Sequence, residues 1–183
     1  YGTDPEATFL VDNREIWFIP IVNPDGYCYN ETTYPSGGGM WRKNRRDNVG
    51  TTCEGVDLNR NYPYQWGVSG SSTDPCSETY RGTAGGSEPE VQVYMDFIAA
   101  HDFTANISFH SVAGLVLIPW SYSTLHTSDD ATFRIIGNAM AAISKINKRI
   151  SWLDTADWLA RLGGYKKKYT LGYRKQDGMR MQQ

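Results

Sequence analysis

Apolar and polar positions change their spacing several times along this chain, and each change marks an element. Arg14 to Val22 (Arg-Glu-Ile-Trp-Phe-Ile-Pro-Ile-Val) is dense in apolar, aromatic and β-branched residues and stops at Asn23-Pro24-Asp25-Gly26. That pattern predicts a buried strand closed by a turn. From there to about Gly86 the sequence is rich in Gly, Ser, Asn, Pro and Tyr. Loops of that length in a compact domain are functional or disordered, and the many aromatics here point to order. A helical signal returns at Ser87-Glu88-Pro89-Glu90, with Ser as cap, Pro in the first turn and Glu three residues after the Ser. Val91, Tyr94, Met95 and Ile98 follow on one face, and Glu88 and Glu90 are read as serving the helix start. Two strands are predicted at about Ala105–Ser111 and Gly114–Trp120. A helix is predicted from about Asp129 to Ile146, with Phe133, Ile136, Met140 and Ile143 facing inward. Strands alternating with amphipathic helices imply an α/β layered domain with a largely buried sheet. Ligands of such domains bind outside the carboxyl ends of the strands, and His110 stands at one.

The 183 residues suffice for one domain with a proper core. Hydrophobic and charged contents of 40% and 21% are ordinary globular values. No apolar run reaches the length of a membrane span, and no signal peptide is visible, so the chain reads as mature or as a fragment. The net charge of −2 hides an asymmetry. Residues 1–144 carry 8 Lys+Arg against 17 Asp+Glu, whereas residues 145–183 carry 10 against 3 and show no clear periodicity. Such a change marks a functional basic tail or a segment foreign to the rest. Cys53 and Cys76 flank a turn-rich loop that a disulfide would staple in an oxidising compartment; three reduced thiols, Cys28 included, are the alternative. Asn30-Glu31-Thr32 is a glycosylation sequon and points weakly toward secretion.

The chemistry concentrates in Gly55-Val56-Asp57-Leu58-Asn59-Arg60-Asn61. A guanidinium beside a neutral amide suits a carboxylate, which it grips through two parallel hydrogen bonds. Upstream, Arg42-Lys43-Asn44-Arg45-Arg46 has the composition of a solvated basic turn or a nucleic-acid patch. The net acidity of residues 1–144 argues against nucleic acid. His126-Thr127-Ser128-Asp129 reads as a helix start rather than a chelate.

Six motifs now stand in order: Asn23-Pro24-Asp25-Gly26-Tyr27, Met40-Trp41-Arg42-Lys43-Asn44-Arg45, Gly55 to Tyr62, Cys76-Ser77-Glu78-Thr79-Tyr80, Ser87 to Glu90, and Ile107-Ser108-Phe109-His110-Ser111. Together they resemble zinc metallocarboxypeptidases of the pancreatic carboxypeptidase A/B type, across roughly residues 1–144. The resemblance implies a truncated version of that fold: three α/β/α layers around a mixed, mostly buried sheet, with residues 145–183 as a basic tail outside the match. It implies that His110 is a zinc ligand, that Asn59, Arg60 and Ser111 bind the substrate's terminal carboxylate, and that Arg42 polarises the scissile carbonyl. Asp57 resembles the carboxylate that orients a zinc-bound imidazole, and Cys53 and Cys76 match a disulfide of secreted animal enzymes. The implied cofactor is zinc and the implied partners are peptide or protein C-termini, with no nucleic acid, no membrane and a monomeric state.

Other family features are missing from the sequence. There is no His-x-x-Glu, and Glu is absent after Glu90. Two further zinc ligands and the general-base Glu are therefore not supplied, and these 183 residues are expected to show no peptidase activity. A frame shift near residues 145–150 would explain both the lost motifs and the charge reversal; a divergent tail is the rival. Two other functions compete: a peptide C-terminus binder without zinc, and a basic-tailed nucleic-acid binder whose affinity would collapse with salt.

Overall fold

The structure, a computed structural model, describes residues 1–110, 115–120, 122–143, 150–151 and 169–174, the last two segments and Ile143 by backbone alone. Helix α1 (Pro5–Asn13) starts on Asp4, whose carboxylate accepts from the Glu6 and Ala7 amides, with Pro5 in the first turn. None of its residues is buried.

Two expectations fail next. Arg14–Val22 forms no strand, and every residue from 11 to 21 is exposed. A strand is stable only when its peptide groups pair with a neighbour, and no described element pairs with this one. Trp17 is anchored: its indole meets the rings of Phe97 and His101 edge-on at 5.4 and 5.0 Å. The Asn-Pro-Asp-Gly signature opens a helix instead of a turn: α2 runs Pro24–Thr33, with the Asn23 Oδ1 accepting from the Gly26 amide at 3.0 Å. An Asn cap followed by Pro at the first helical position suits a helix start as well as a turn.

Helix α3 (Pro89–Ala100) presents Val91, Tyr94 and Ile98 to Leu58 and Tyr62, and these five form one buried cluster. Each full burial of such a side chain contributes roughly 1.5–3 kcal/mol. The cluster fixes the Leu58–Arg60 turn, a single 3₁₀ turn, against the helix.

Strand β1 (Ala105–His110), β2 (Val116–Leu117), helix α4 (Asp130–Ile143), β3 (Ile150–Ser151) and β4 (Tyr169–Arg174) complete the fold. The sheet order is β1-β4-β2-β3 and the sheet is mixed: β1 with β4 and β2 with β3 are parallel, whereas β2 with β4 is antiparallel. Two of its strands thus come from residues 145–183. Phe133 of α4 packs on Ile118 just after β2, with Ile136 and Met140 beside them, as the helical spacing predicts. The side chain of Ile143 lies outside the described residues. β1 is an edge strand, and its Ile107 and Phe109 are 45% and 47% exposed.

Candidate functional site

Arg42 stands in a segment whose backbone is held from several sides. Asn30 of α2 donates from Nδ2 to the Trp41 carbonyl at 2.8 Å and accepts from the Trp41 amide at 3.0 Å. Asn23 donates to the carbonyls of Arg42 and Lys43 at 3.3 and 3.0 Å. Beyond Arg42, Asn44 pairs with Val56: its amide donates to the Val56 carbonyl and its Oδ1 accepts from the Val56 amide at 2.7 Å. Gly55 makes that approach possible. Its φ of 80° is left-handed, and a Cβ there would run into the Asn44 carbonyl.

The same Asn44 reaches α3, donating to Glu88 Oε2 at 2.8 Å. Glu88 also accepts from Ser87 Oγ at 2.6 Å and from Arg46 at 2.5 Å. It is 1% exposed. This corrects the capping expectation: Ser87 is not the cap, Glu88 occupies that position without a side-chain cap bond, and Glu90 accepts from Asn44. Burial pushes the Glu90 carboxyl above its ordinary range.

The basic turn is also spoken for. Lys43 is 3% exposed and its ammonium donates to the Pro75 and Ser77 carbonyls; burial lowers its pKa. Arg45 pairs with Glu54 and lies over the rings of Tyr29 and Trp41, with its guanidinium carbon 3.9 and 4.5 Å from their centroids. Lys43, Arg45 and Arg46 are thus committed internally, whereas Arg42 of the same turn is exposed. The sequon fares no better. Asn30 is buried in a helix and its amide is occupied by Trp41, so the folded chain offers no acceptor there and this support for secretion falls away.

Asp57 begins the 3₁₀ turn, its Oδ1 accepting from the Asn59 amide at 3.0 Å. It is buried, and burial raises its carboxyl above the usual range, an effect opposed by the positive charges of Arg60 and Arg42. Three expected site residues therefore share one field: Arg42 and Arg60 both act on Asp57. Asp57 Oδ2 and Asn59 Oδ1 are buried with no hydrogen-bond partner among the described residues. Arg60 is half-buried; its Nε donates to the Gly70 carbonyl at 2.8 Å, and one terminal nitrogen donates to the Asn59 carbonyl. Asn61 ties this turn to α3, accepting from the Glu88 amide and donating to the carbonyls of Arg81 and Ala84. The Tyr64 and Tyr122 hydroxyls meet at 3.1 Å, with the Trp120 ring beside both, so the turn is tied to the segment following β2. Partial burial, with that contact second, pushes the Tyr122 hydroxyl up to about 12.

His110 closes β1. It is buried, and its Nε2 lies 2.9 Å from Ser108 Oγ. A hydroxyl on one ring nitrogen helps to fix the tautomer and orientation that a metal-binding imidazole needs. Ser111, the remaining expected carboxylate contact, lies outside the described residues. A hydrolytic zinc site takes three protein ligands. No group of three His, Cys, Asp or Glu that could hold an ion occurs among the described residues. Cys53 and Cys76 form the disulfide, and Cys28 is an exposed free thiol. The asparagines Asn23, Asn30, Asn44 and Asn61 were not singled out as site residues in the sequence. Asn23, Asn44 and Asn61 lie within the motifs quoted from the sequence and Asn30 within the sequon, which gave their place and not their hydrogen-bonding role.

The sequence model of the zinc carboxypeptidase family, Peptidase M14, matches residues 1–178. The chain belongs to the zinc carboxypeptidase family. Among its relatives, metallocarboxypeptidase A of Arthroderma otae is 43% identical over 152 residues, 78% of this chain and 35% of that protein. Carboxypeptidase A1 of Rattus norvegicus is 39% identical over 149 residues, again covering 35% of the relative. The chain thus spans about a third of the length of these curated carboxypeptidases. In structure it is similar to thrombin activatable fibrinolysis inhibitor, with a TM-score of 0.80 at 32% identity over 97% of this chain and 47% of the other. A carboxypeptidase A from Helicoverpa armigera follows with a TM-score of 0.74 at 27% identity, over 89% and 43% of the two chains. No helix among the described residues is long and apolar enough to cross a membrane.

Proposed function

We propose that this chain carries the substrate-gripping part of a secreted, monomeric zinc carboxypeptidase, which removes single residues from the C-termini of peptides and proteins. The observation that carries the reading is the shared field of Arg42, Asp57 and Arg60. Two positive charges that act on one buried carboxylate, itself bonded to the amide of Asn59, suit a peptide end that presents a carboxylate and a carbonyl. Arg60 and Asn59, with Ser111, would hold the terminal carboxylate and so confine attack to the last peptide bond. Arg42 would face the carbonyl of that bond and stabilise the negative charge its oxygen gains as water adds; a fixed charge at that point is commonly a large part of catalysis. Asp57 would turn its unpartnered Oδ2 toward an imidazole N–H and so orient a metal ligand. His110 would be one ligand; the metal, when bound, lowers the pKa of its water and polarises the carbonyl.

A second reading has its own support. The sequence has no His-x-x-Glu and no Glu beyond Glu90. A binder that keeps the carboxylate clamp without hydrolysis needs neither.

Titration calorimetry with an N-acylated dipeptide separates these from an unrelated function. Both readings expect binding that falls at least tenfold when the peptide's carboxyl end is amidated or when Arg60 is changed to Ala, as for loss of a charge-assisted pair. Equal affinity for free and amidated ends would discard them together. Hydrolysis by the 183-residue chain that a chelator abolishes would favour the enzyme and overturn the expected inactivity.

A further inference from the structure

We propose that Asn23 and Asn30, at the start and in the body of α2, are positioning residues for Arg42. The inference rests on the role given to Arg42 above and extends it to Asn23, which opens the first of the six motifs, and to Asn30, which lies outside them. Together the two asparagines make four hydrogen bonds to three consecutive backbone units. Asn30 takes both the amide and the carbonyl of Trp41, and Asn23 takes the carbonyls of Arg42 and Lys43. Every peptide unit around Arg42 is thereby pinned to one helix. The asparagines are themselves buried, at 1% and 6% exposure, so water does not compete for these bonds.

The arrangement goes beyond ordinary loop packing in one respect. Arg42 carries an exposed side chain on a backbone that is held on both sides. The direction of its Cα–Cβ bond is set by the peptide planes on either side, and those planes are what Asn23 and Asn30 hold. An exposed arginine that must meet a developing charge gains from a fixed base, since a misplacement of about 1 Å can cost as much as 100-fold in such contacts.

Asn23 permits a clean separation of roles. Its Oδ1 caps α2 by accepting from the Gly26 amide, while its Nδ2 alone serves the Arg42 and Lys43 carbonyls. Asn23→Asp and Asn23→Ser each keep a good cap oxygen and lose the donor. The experiment is a double-mutant cycle on the 183-residue protein. Affinity for an N-acylated dipeptide with a free carboxyl end is measured by calorimetry for the parent, both Asn23 variants, Arg42→Ala, and each Asn23 variant combined with Arg42→Ala. Circular dichroism checks that α2 survives, and having two variants guards against one that fails to fold.

The expected result is a loss of roughly tenfold from either Asn23 variant when Arg42 is present, and of under about twofold when Arg42 is already Ala. A merely structural role would weaken binding equally in both backgrounds, and that outcome overturns the inference. So does parent-like binding by the Asn23 variants while Arg42→Ala binds poorly, which leaves the reading of Arg42 intact. Should Arg42→Ala itself bind as well as the parent, the role given to Arg42 fails first and this inference falls with it. Asn30→Ala, carried through the same cycle, is expected to lose binding only when Arg42 is present; equal losses in both backgrounds, or parent-like binding, would overturn the assignment of Asn30.

Discussion

The segments Met40–Val91 and Phe9–Ile21 invert the usual relation between polarity and depth. In the first, Lys43, Asn44, Asn48, Asp57, Asn61 and Glu88 are buried. In the second, Phe9, Leu10, Val11, Ile16, Trp17, Phe18, Ile19 and Ile21 are exposed. Partners account for the difference. Most buried polar groups of the first segment meet backbone or a counter-charge that offsets their desolvation, Asp57 Oδ2, Asn59 Oδ1 and Arg81 Nε being exceptions among the described residues. The apolar residues of the second have no facing layer among the described residues, and hydrophobicity alone does not create one. Depth in this chain therefore follows available partners, and hydropathy predicts it only where a partner layer exists.

The harshest way to break this comparison is to remove the partner on which the polar segment converges. Glu88→Ala leaves Asn44 without its acceptor and Arg46 without its counter-charge. Removing one side of a buried pair costs about 3–5 kcal/mol, and the lower end applies because Arg46 is partly exposed. Glu88→Gln, which keeps an acceptor for Asn44, is expected to lose less than half of that. Urea denaturation reads both; a change under about 1 kcal/mol for the alanine would mean that the polar lattice is not what holds this region.

Next in size is the covalent link. Cys53 and Cys76 are 23 residues apart, and closing a loop of that order stabilises by about 3 kcal/mol through the unfolded chain. Thermal melts of the Cys53→Ser/Cys76→Ser variant should show a fall of several degrees. The parent in reductant should match it, while agents that act on Cys28 alone should do nothing.

The same contrast explains what could be read from the sequence. Helices α3 and α4 were legible because Val91, Tyr94 and Ile98, and Phe133, Ile136 and Met140, repeat at helical spacing and have a surface to meet. β1 was legible for a similar reason, and Cys53–Cys76 because both flank one loop. Arg14–Val22 carries as strong a strand pattern, yet pairing depends on a neighbour that the pattern does not contain. Asn23-Pro24 was ambiguous between turn and cap, since both use the same oxygen and the same fixed φ. For the site, the motifs named Arg42, Asp57 and Arg60, and the charges of both arginines act on Asp57. The work of Asn44 and Glu88 did not follow from the motifs, because a hydrogen bond spanning 44 residues leaves no local signature.

A gentler probe asks what burial does to Asp57. Its carboxyl is raised in the folded state, so the fold binds that proton more tightly than the unfolded chain does. Its contribution is therefore most favourable below the ordinary carboxylate range and is lost as pH rises through the raised value. Asp57→Asn removes this slope while keeping an acceptor for the Asn59 amide. Relative to the parent, the variant should gain stability between pH 3 and pH 7, measured by denaturation at both. A variant that instead loses stability relative to the parent between pH 3 and pH 7 would mean that Arg42 and Arg60 outweigh desolvation.

The smallest effect belongs to the apolar segment and tests its side of the comparison most directly. Phe18 is 83% exposed, and among the described residues it belongs to neither buried cluster. Phe18→Ser should change the free energy of unfolding by no more than about 0.5 kcal/mol, the range of an ordinary surface substitution. Its consequence should appear in self-association instead. Ile16, Trp17, Ile19 and Ile21 lie exposed in the same short stretch, a surface on which chains stick at high concentration. Light scattering against concentration should therefore show less association for Phe18→Ser than for the parent at equal stability. A loss of 2 kcal/mol or more would mean that Phe18 has a packing partner in solution, and the contrast drawn between the two segments would then disappear.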